Sequence, residues 1–110
     1  MFEKITTRIN RKFFRHMANY DINLSELKKK QLQGAVIIDV RNHKEYKEGH
    51  IEGSINIPEY EINNNFVNII KNKNIEIVLY CSSGYRSIKA YKKLKKLGYN
   101  KIYNLYGGLE

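Results

Sequence analysis

The sequence predicts a single α/β domain with a central parallel sheet of about five strands and helices on both faces of the sheet. Short apolar runs alternate with helical patterns along the chain, which is typical of parallel strands joined by helical crossovers. The mostly β-branched run from Val36 to Val40 is typical of a strand that is buried on both faces. A chain of 110 residues is long enough for one such domain with its own hydrophobic core.

Start and stop signals bound these elements. Asn23 or Ser25 can cap the first helix of the domain, and Gly34 can end it. Pro58 stops the third strand because proline lacks the N–H group that a strand ladder requires. Gly98 follows the clearest helix and suits the position after a helix end. In chain order, the predicted strands cover residues 20–22, 36–40, 54–57, 75–80 and 101–105, and the predicted helices cover residues 25–33, 45–48, 63–72 and 86–97.

Residues 1–18 form a separate segment before the domain of residues 19–110. Apolar side chains recur there every three or four positions, which predicts an amphipathic helix whose other face is basic. We expect the apolar stripe to pack on the domain or on a partner subunit, so the protein is a monomer or a homodimer. A helix lying on an anionic membrane and a disordered segment are the less favoured alternatives. The stripe consists of Phe2, Ile5, Ile9, Phe13 and Met17.

Composition narrows the class of protein. A single cysteine excludes an intrachain disulfide and a multi-cysteine zinc site, and a free thiol suits a reducing cytoplasm. No apolar stretch reaches the length of about 18 residues that a membrane span needs, and the N-terminus lacks the continuous apolar core of a secretory signal. We therefore expect a cytoplasmic protein with no metal or other cofactor.

The chain carries a formal net charge of +9 at neutral pH. Its lysines form solvated helix faces without interleaved aromatic residues, so we expect no nucleic-acid partner. A positive field would still attract small anions. The largest lysine group consists of Lys89, Lys92, Lys93, Lys95 and Lys96.

The one cysteine lies where a predicted strand meets a predicted helix. Cys81 directly follows the apolar run 75–80. A thiol in that position faces backbone N–H groups at the positive end of a helix, which favours the reactive thiolate. A lone cysteine is often an inert buried residue, but this context favours a nucleophile. The loop that follows consists of Ser82, Ser83, Gly84, Tyr85, Arg86 and Ser87.

A second polar motif lies at the carboxyl end of another predicted strand. Asp39 is the next-to-last residue of the run 36–40, and Arg41 directly follows that run. Ligands of open α/β sheets bind beyond the carboxyl ends of the strands. The two motifs are therefore expected to meet at one edge of the sheet.

Three motifs, taken in order, resemble those of the rhodanese family over roughly residues 20–110. The first runs from Asp-Val-Arg through Glu-Tyr and Gly-His-Ile-x-Gly-Ser to Asn-Ile-Pro. The second is Cys-x-x-Gly-x-Arg-Ser, and the third is Gly-Gly after the last strand. The matching residues are Asp39, Arg41, Glu45, Tyr46, Gly49, His50, Ile51, Gly53, Ser54, Asn56, Pro58, Cys81, Gly84, Arg86, Ser87, Gly107 and Gly108.

The resemblance implies a rhodanese-like fold and a sulfurtransferase of the thiosulfate:cyanide type. Such an enzyme moves a sulfane sulfur from thiosulfate or a persulfide to a thiol, cyanide or protein acceptor, here through a persulfide on Cys81. Backbone N–H groups of residues 82–86 would cradle the terminal sulfur. The uncharged side chains at positions 82, 83 and 85 make thiosulfate the poorer donor. Members of that family usually continue into a final helix after the Gly-Gly motif, and this sequence contains no such helix. We therefore expect a domain without the final helix, in which the N-terminal helix covers the sheet face left exposed.

The same resemblance suggests supporting roles. Arg86 either faces the substrate anion or, as we favour, pairs with Glu45 and holds the loop in shape. Asp39 is expected to brace neighbouring loops, and Arg41 is a candidate contact for donor anions. His50 is expected to be a packed loop residue, because a thiolate that backbone groups stabilise needs no general base.

Two other functions remain open from the sequence. Some cysteine-dependent phosphatases share this fold, but their cysteine-to-arginine loop is one residue longer than the span from Cys81 to Arg86. A non-catalytic rhodanese-like module that binds partners is the other alternative, and such modules often lack the cysteine. The presence of Cys81 favours the sulfurtransferase.

Overall fold

A computed structural model describes residues 16–109 of the chain. Its five strands are all parallel and lie in the order β1-β5-β4-β2-β3, which confirms the predicted fold class. The strands are β1 (Asp21–Ile22), β2 (Val36–Asp39), β3 (Ile55–Asn56), β4 (Ile77–Tyr80) and β5 (Ile102–Leu105). The helices are α1 (Leu24–Leu32), α2 (His43–Glu48), α3 (Phe66–Ile69) and α4 (Tyr85–Lys96), with one 3-10 turn at Glu59–Glu61.

The sheet separates two hydrophobic clusters. On one face, Phe66 of α3 and Leu94 of α4 pack against Ile38 of β2 and Leu79 of β4, and Cys81 belongs to this cluster. On the other face, Leu27 of α1 packs with residues of β1, β2, β4 and β5. The central strand β4 is entirely buried, as its continuous apolar run predicts.

The first and second helices begin where asparagine caps them. Asn23, rather than Ser25, caps α1: its Oδ1 accepts from the N–H of Glu26 at 2.8 Å, and the Glu26 carboxylate accepts from the N–H of Asn23. Asn42 forms the same reciprocal arrangement with Glu45. Helix α2 therefore starts at His43, two residues before the predicted start, because the capping box fixes its first turn.

Helix α3 is much shorter than the predicted helix over residues 63–72. The Oδ1 of Asn63 accepts from the N–H of Asn65, and the Oδ1 of Asn72 accepts from the N–H of Asn74. Such local side-chain bonds offer the backbone an alternative to helix, so only the turn from Phe66 to Ile69 remains. The 3-10 turn that follows Pro58 was not predicted.

The predicted N-terminal helix over residues 1–18 lies outside the described residues, except for its last three positions. Residues 16–18 have no regular secondary structure, and Met17 is exposed. Among the residues that the structure describes, no helix has the length and apolar character to cross a membrane.

Candidate active site

Cys81 lies between the carboxyl end of β4 and the amino end of α4. Its Sγ accepts hydrogen bonds from the N–H of Gly84 at 3.1 Å and from the N–H of Ser87 at 3.4 Å, and the Ser87 hydroxyl lies 3.6 Å away. The sequence led us to expect donors from residues 82–86. Of that set, Gly84 donates to Sγ in the structure, and Ser87 in the first turn of α4 is a donor outside it.

Two glycines allow the loop to close around the sulfur. Gly84 has φ +95°, a left-handed conformation that glycine adopts without strain. Gly108, also left-handed, packs so tightly that an added Cβ would lie 2.5 Å from the carbonyl oxygens of both Cys81 and Ser82. Leu109 donates its N–H to the Cys81 carbonyl at 2.9 Å. The Gly-Gly motif therefore packs directly against the backbone of the loop, a contact that the sequence did not reveal.

Arg86 and Glu45 form the ion pair that the sequence analysis favoured. Arg86 Nη1 lies 2.7 Å from Glu45 Oε1, and Nη2 lies 3.1 Å from Oε2. The hydrogen bond from Arg86 is the main reason that the pKa of Glu45 is lowered. Glu45 also accepts from the N–H of Asn42, so one carboxylate both caps α2 and clamps the loop. The pair joins α2 to the first turn of α4, and the role of Arg86 in holding the loop rather than facing a substrate stays a prediction.

Arg41 is held in a buried ion pair, and its role as a contact for donor anions stays a prediction. Its Nη2 lies 2.7 Å from Asp39 Oδ2 and 2.6 Å from the carbonyl of Gly49, and both side chains are buried. The hydrogen bond to Asp39 is the largest cause of the raised pKa of Arg41. The burial of Asp39 requires a paired cation, and Arg41 is that cation. Asp39 also accepts from the N–H of Arg41, as expected of a loop brace.

His50 is an exposed residue in the structure, but its ring makes the kind of hydrogen bond that was expected of a loop residue. Its ring stacks on Tyr46 with the centroids 3.7 Å apart, and its Nδ1 lies 2.7 Å from the carbonyl of Tyr46. Both contacts join the ring to helix α2. Nothing in this geometry gives His50 a role as a base for Cys81.

A buried hydroxyl network lies next to the cysteine in the chain. Tyr80 directly precedes Cys81, and its hydroxyl accepts from the N–H of Ile51 at 3.0 Å and contacts the Ser54 hydroxyl at 3.1 Å. Burial raises the pKa of Tyr80. The network links the end of β4 to the Gly-His-Ile segment. Because this tyrosine lies in an apolar run, the sequence does not indicate that its hydroxyl forms hydrogen bonds.

The described part of the chain contains no cluster of three or more histidine, cysteine, aspartate or glutamate side chains that could hold a metal ion. The geometry described above brings together one sulfur, two backbone N–H groups and the pair of Arg86 and Glu45.

Comparison with known proteins agrees with this fold. A family model described as the Rhodanese-like domain matches residues 23–110. The chain belongs to the rhodanese-like family. Solved rhodaneses share its fold. A human single-domain sulfurtransferase is 27% identical with a TM-score of 0.69, over 83% of this chain and 92% of that one. A rhodanese with anions from E. coli is 33% identical with a TM-score of 0.62, over 69% and 88%.

Curated relatives carry a different activity in their names. This rhodanese-like chain is 35% identical over 81 residues to the tRNA uridine(34) hydroxylase of Buchnera aphidicola, which is 70% of this chain and 26% of that protein. It is also 35% identical over 79 residues to the hydroxylase of Enterobacter sp., covering 68% and 23%. The chain thus spans about a quarter of the length of these relatives.

Proposed function

We propose that this rhodanese-like chain is a sulfurtransferase that carries a sulfane sulfur as a persulfide on Cys81. The observation that carries the proposal is the pair of N–H groups, from Gly84 and Ser87, that point at Sγ at the start of α4. Cys81 has no exposed surface, and burial alone is typical of inert cysteines. Two backbone donors on one sulfur distinguish it, because they stabilise a thiolate more than a thiol.

The transfer has two steps. The Cys81 thiolate attacks the outer sulfur of a donor persulfide, the donor sulfur–sulfur bond breaks, and the donor leaves as a thiolate with the bonding electron pair. An acceptor thiolate or cyanide then attacks the outer sulfur of the Cys81 persulfide, and Cys81 leaves as a thiolate. Each step exchanges one bond to sulfur, so no external oxidant is needed. Because Sγ is buried, the loop must shift to admit the donor.

The charges around the loop favour a persulfide donor over thiosulfate. Thiosulfate is a dianion, and the loop side chains of Ser82, Ser83 and Tyr85 are uncharged. The two motif arginines are already paired, Arg86 with Glu45 and Arg41 with Asp39. Each carboxylate offsets the charge of its arginine, so the attraction of either side chain for a sulfonate group is weakened.

The experiment is the intact mass of the protein after incubation with a small-molecule persulfide or with thiosulfate. Because Cys81 is the only thiol, loading should add one sulfur, about 32 Da, that excess thiol removes. Cys81→Ser should take up no sulfur and transfer none to cyanide. Transfer retained by Cys81→Ser would refute the proposal, and faster loading from thiosulfate would refute the choice of donor.

A second candidate function follows from the named relatives. At 35% identity to tRNA uridine(34) hydroxylases, the chain is a candidate for a part in that tRNA modification. This would require a nucleic-acid partner, against our expectation from the lysine pattern. The test is to express the chain in cells that lack the hydroxylase and to measure hydroxylated uridine in their tRNA. Hydroxylation that Cys81→Ser abolishes would establish this function.

A further inference from the structure

His43 is held by hydrogen bonds at both of its ring nitrogens. It is the first residue of α2, and it bridges β3 and the 3-10 turn. Its Nδ1 lies 2.8 Å from Asn56 Oδ1, and its Nε2 lies 2.8 Å from Glu61 Oε2. No motif in the sequence gave this histidine a role.

The orientation of the Asn56 amide is fixed by its other contacts. Its Nδ2 donates to the carbonyl of Asp39 and to the carbonyl of Arg41, each at 2.9 Å. Both partners can only accept, so the amide oxygen must be the atom that faces His43. Both ring nitrogens of His43 therefore face acceptors. A neutral imidazole has one N–H and satisfies one acceptor, whereas the imidazolium satisfies both.

The charged groups around His43 have opposite effects on its pKa. Glu61 on the 3-10 turn is the main reason that the pKa of His43 is raised above its usual value of 6.5, and Asn56 on β3 contributes next. Lys47, one turn along α2, acts in the opposite direction. The carboxylate lies in direct contact with the ring, and its effect is the larger one.

His43 also lies close to the ion pair between Glu45 and Arg86, which we call the clamp. Asn56 fixes the carbonyl of Arg41, and the next residue, Asn42, caps α2. The N–H of Asn42 donates to the same Oε1 of Glu45 that binds Arg86. The contacts of the His43 ring and the contacts of the clamp thus both hold the start of α2.

We propose that the His43 imidazolium is a positioning residue, which holds the start of α2 against β3 and the 3-10 turn so that Glu45 keeps Arg86 and the loop in place. Deprotonation removes one of its two hydrogen bonds and its attraction to Glu61. The clamp then loosens, and sulfur transfer slows as pH rises through the His43 pKa. The activity part of this proposal rests on the proposed function.

The structural test is an NMR titration of the full chain. His43 should titrate above its usual pKa of 6.5, and the Arg86 side-chain N–H signal should change with the same midpoint. Glu61→Gln should lower the pKa of His43 and shift both midpoints together. A His43 midpoint at or below the usual value, or an Arg86 signal that ignores it, would overturn the proposal.

The kinetic test compares pH profiles of sulfur loading and transfer. The wild-type profile should contain a loss of activity at the His43 midpoint, and His43→Gln should lack that inflection. His16→Gln removes a histidine far from α2 in the sequence and should keep the inflection. An inflection that survives in His43→Gln would count against the positioning role. If Cys81 takes up no sulfur at all, the proposed function fails, and the NMR titration still decides the role of His43.

Discussion

Removal of either partner of the pair between Arg86 and Glu45 should reveal how strongly the loop depends on the clamp. The two side chains are 34% and 29% exposed, so water screens the pair in part. Breaking a fully buried pair costs about 3–5 kcal/mol, and exposed pairs contribute about 0.2–1 kcal/mol. The bidentate geometry and one-third exposure place the coupling energy at about 1–2 kcal/mol.

The assay is a double-mutant cycle of Arg86→Ala and Glu45→Ala, with urea unfolding and sulfur loading measured for each variant. Glu45→Ala also removes the capping contact to Asn42, but that loss is common to the single and double variants and cancels in the cycle. Both single variants should load sulfur more slowly, and the double variant should be less damaged than the sum of the two.

A second ion pair serves as the matched control. Lys30 and Glu76 lie 3.3 Å apart with side chains 22% and 34% exposed, and Glu76 precedes β4 at the end opposite to Cys81. Alanine variants of this pair should change unfolding without changing sulfur loading. Strict additivity of the Arg86 and Glu45 variants in both measurements would refute the clamp and favour an arginine that faces the substrate.

Three further predictions concern other parts of the molecule. Gly108→Ala should unfold earlier and load sulfur poorly, because its Cβ would collide with the loop; Gly34→Ala, also left-handed but with nothing within 4 Å of the added Cβ, should show only a backbone cost of about 1 kcal/mol. The pKa of Glu45 is lowered on folding, so its contribution is present above pH 4.5 and declines as pH falls through the folded pKa; urea midpoints of the wild type and Glu45→Gln should therefore converge in acid. Deletion of residues 1–18 should lower the melting temperature by several degrees, because its apolar stripe needs burial; an unchanged melting temperature with loss of binding to anionic vesicles would favour the membrane alternative, and conversion of a dimer to a monomer would favour a subunit interface.

The sheet and the cysteine loop were predictable because their signals are local. Runs such as 36–38 are long enough to indicate buried strands, and a cysteine between a strand and a helix has few alternative placements. The pairing of Arg86 with Glu45 followed from placing two motifs at one edge. Helix lengths were less predictable, since the asparagines around α3 favour local turns whose strength the helical period does not reveal.

The contacts that the sequence did not reveal involve groups whose partners are set by the fold. Arg41 was named as a candidate contact for donor anions, and the structure adds a buried ion pair with its neighbour Asp39. Tyr80 and His43 gave no signal, because their partners Ser54 and Glu61 are distant in the sequence. A sequence shows which side chains carry charge or hydrogen-bonding groups, and the fold determines which of those groups are already satisfied.

The double use of Glu45 links the order of one helix to the state of the loop. Helix α2 has only six residues, which is too short to persist on its own in water. Its first turn is held by a carboxylate that also binds Arg86, so any event that draws Arg86 away also loosens the helix end. The rate of amide hydrogen exchange in α2 should therefore differ between the free protein and the protein that carries sulfur on Cys81. This coupling is expected although the backbone N–H groups that bind Sγ belong to the loop and to α4.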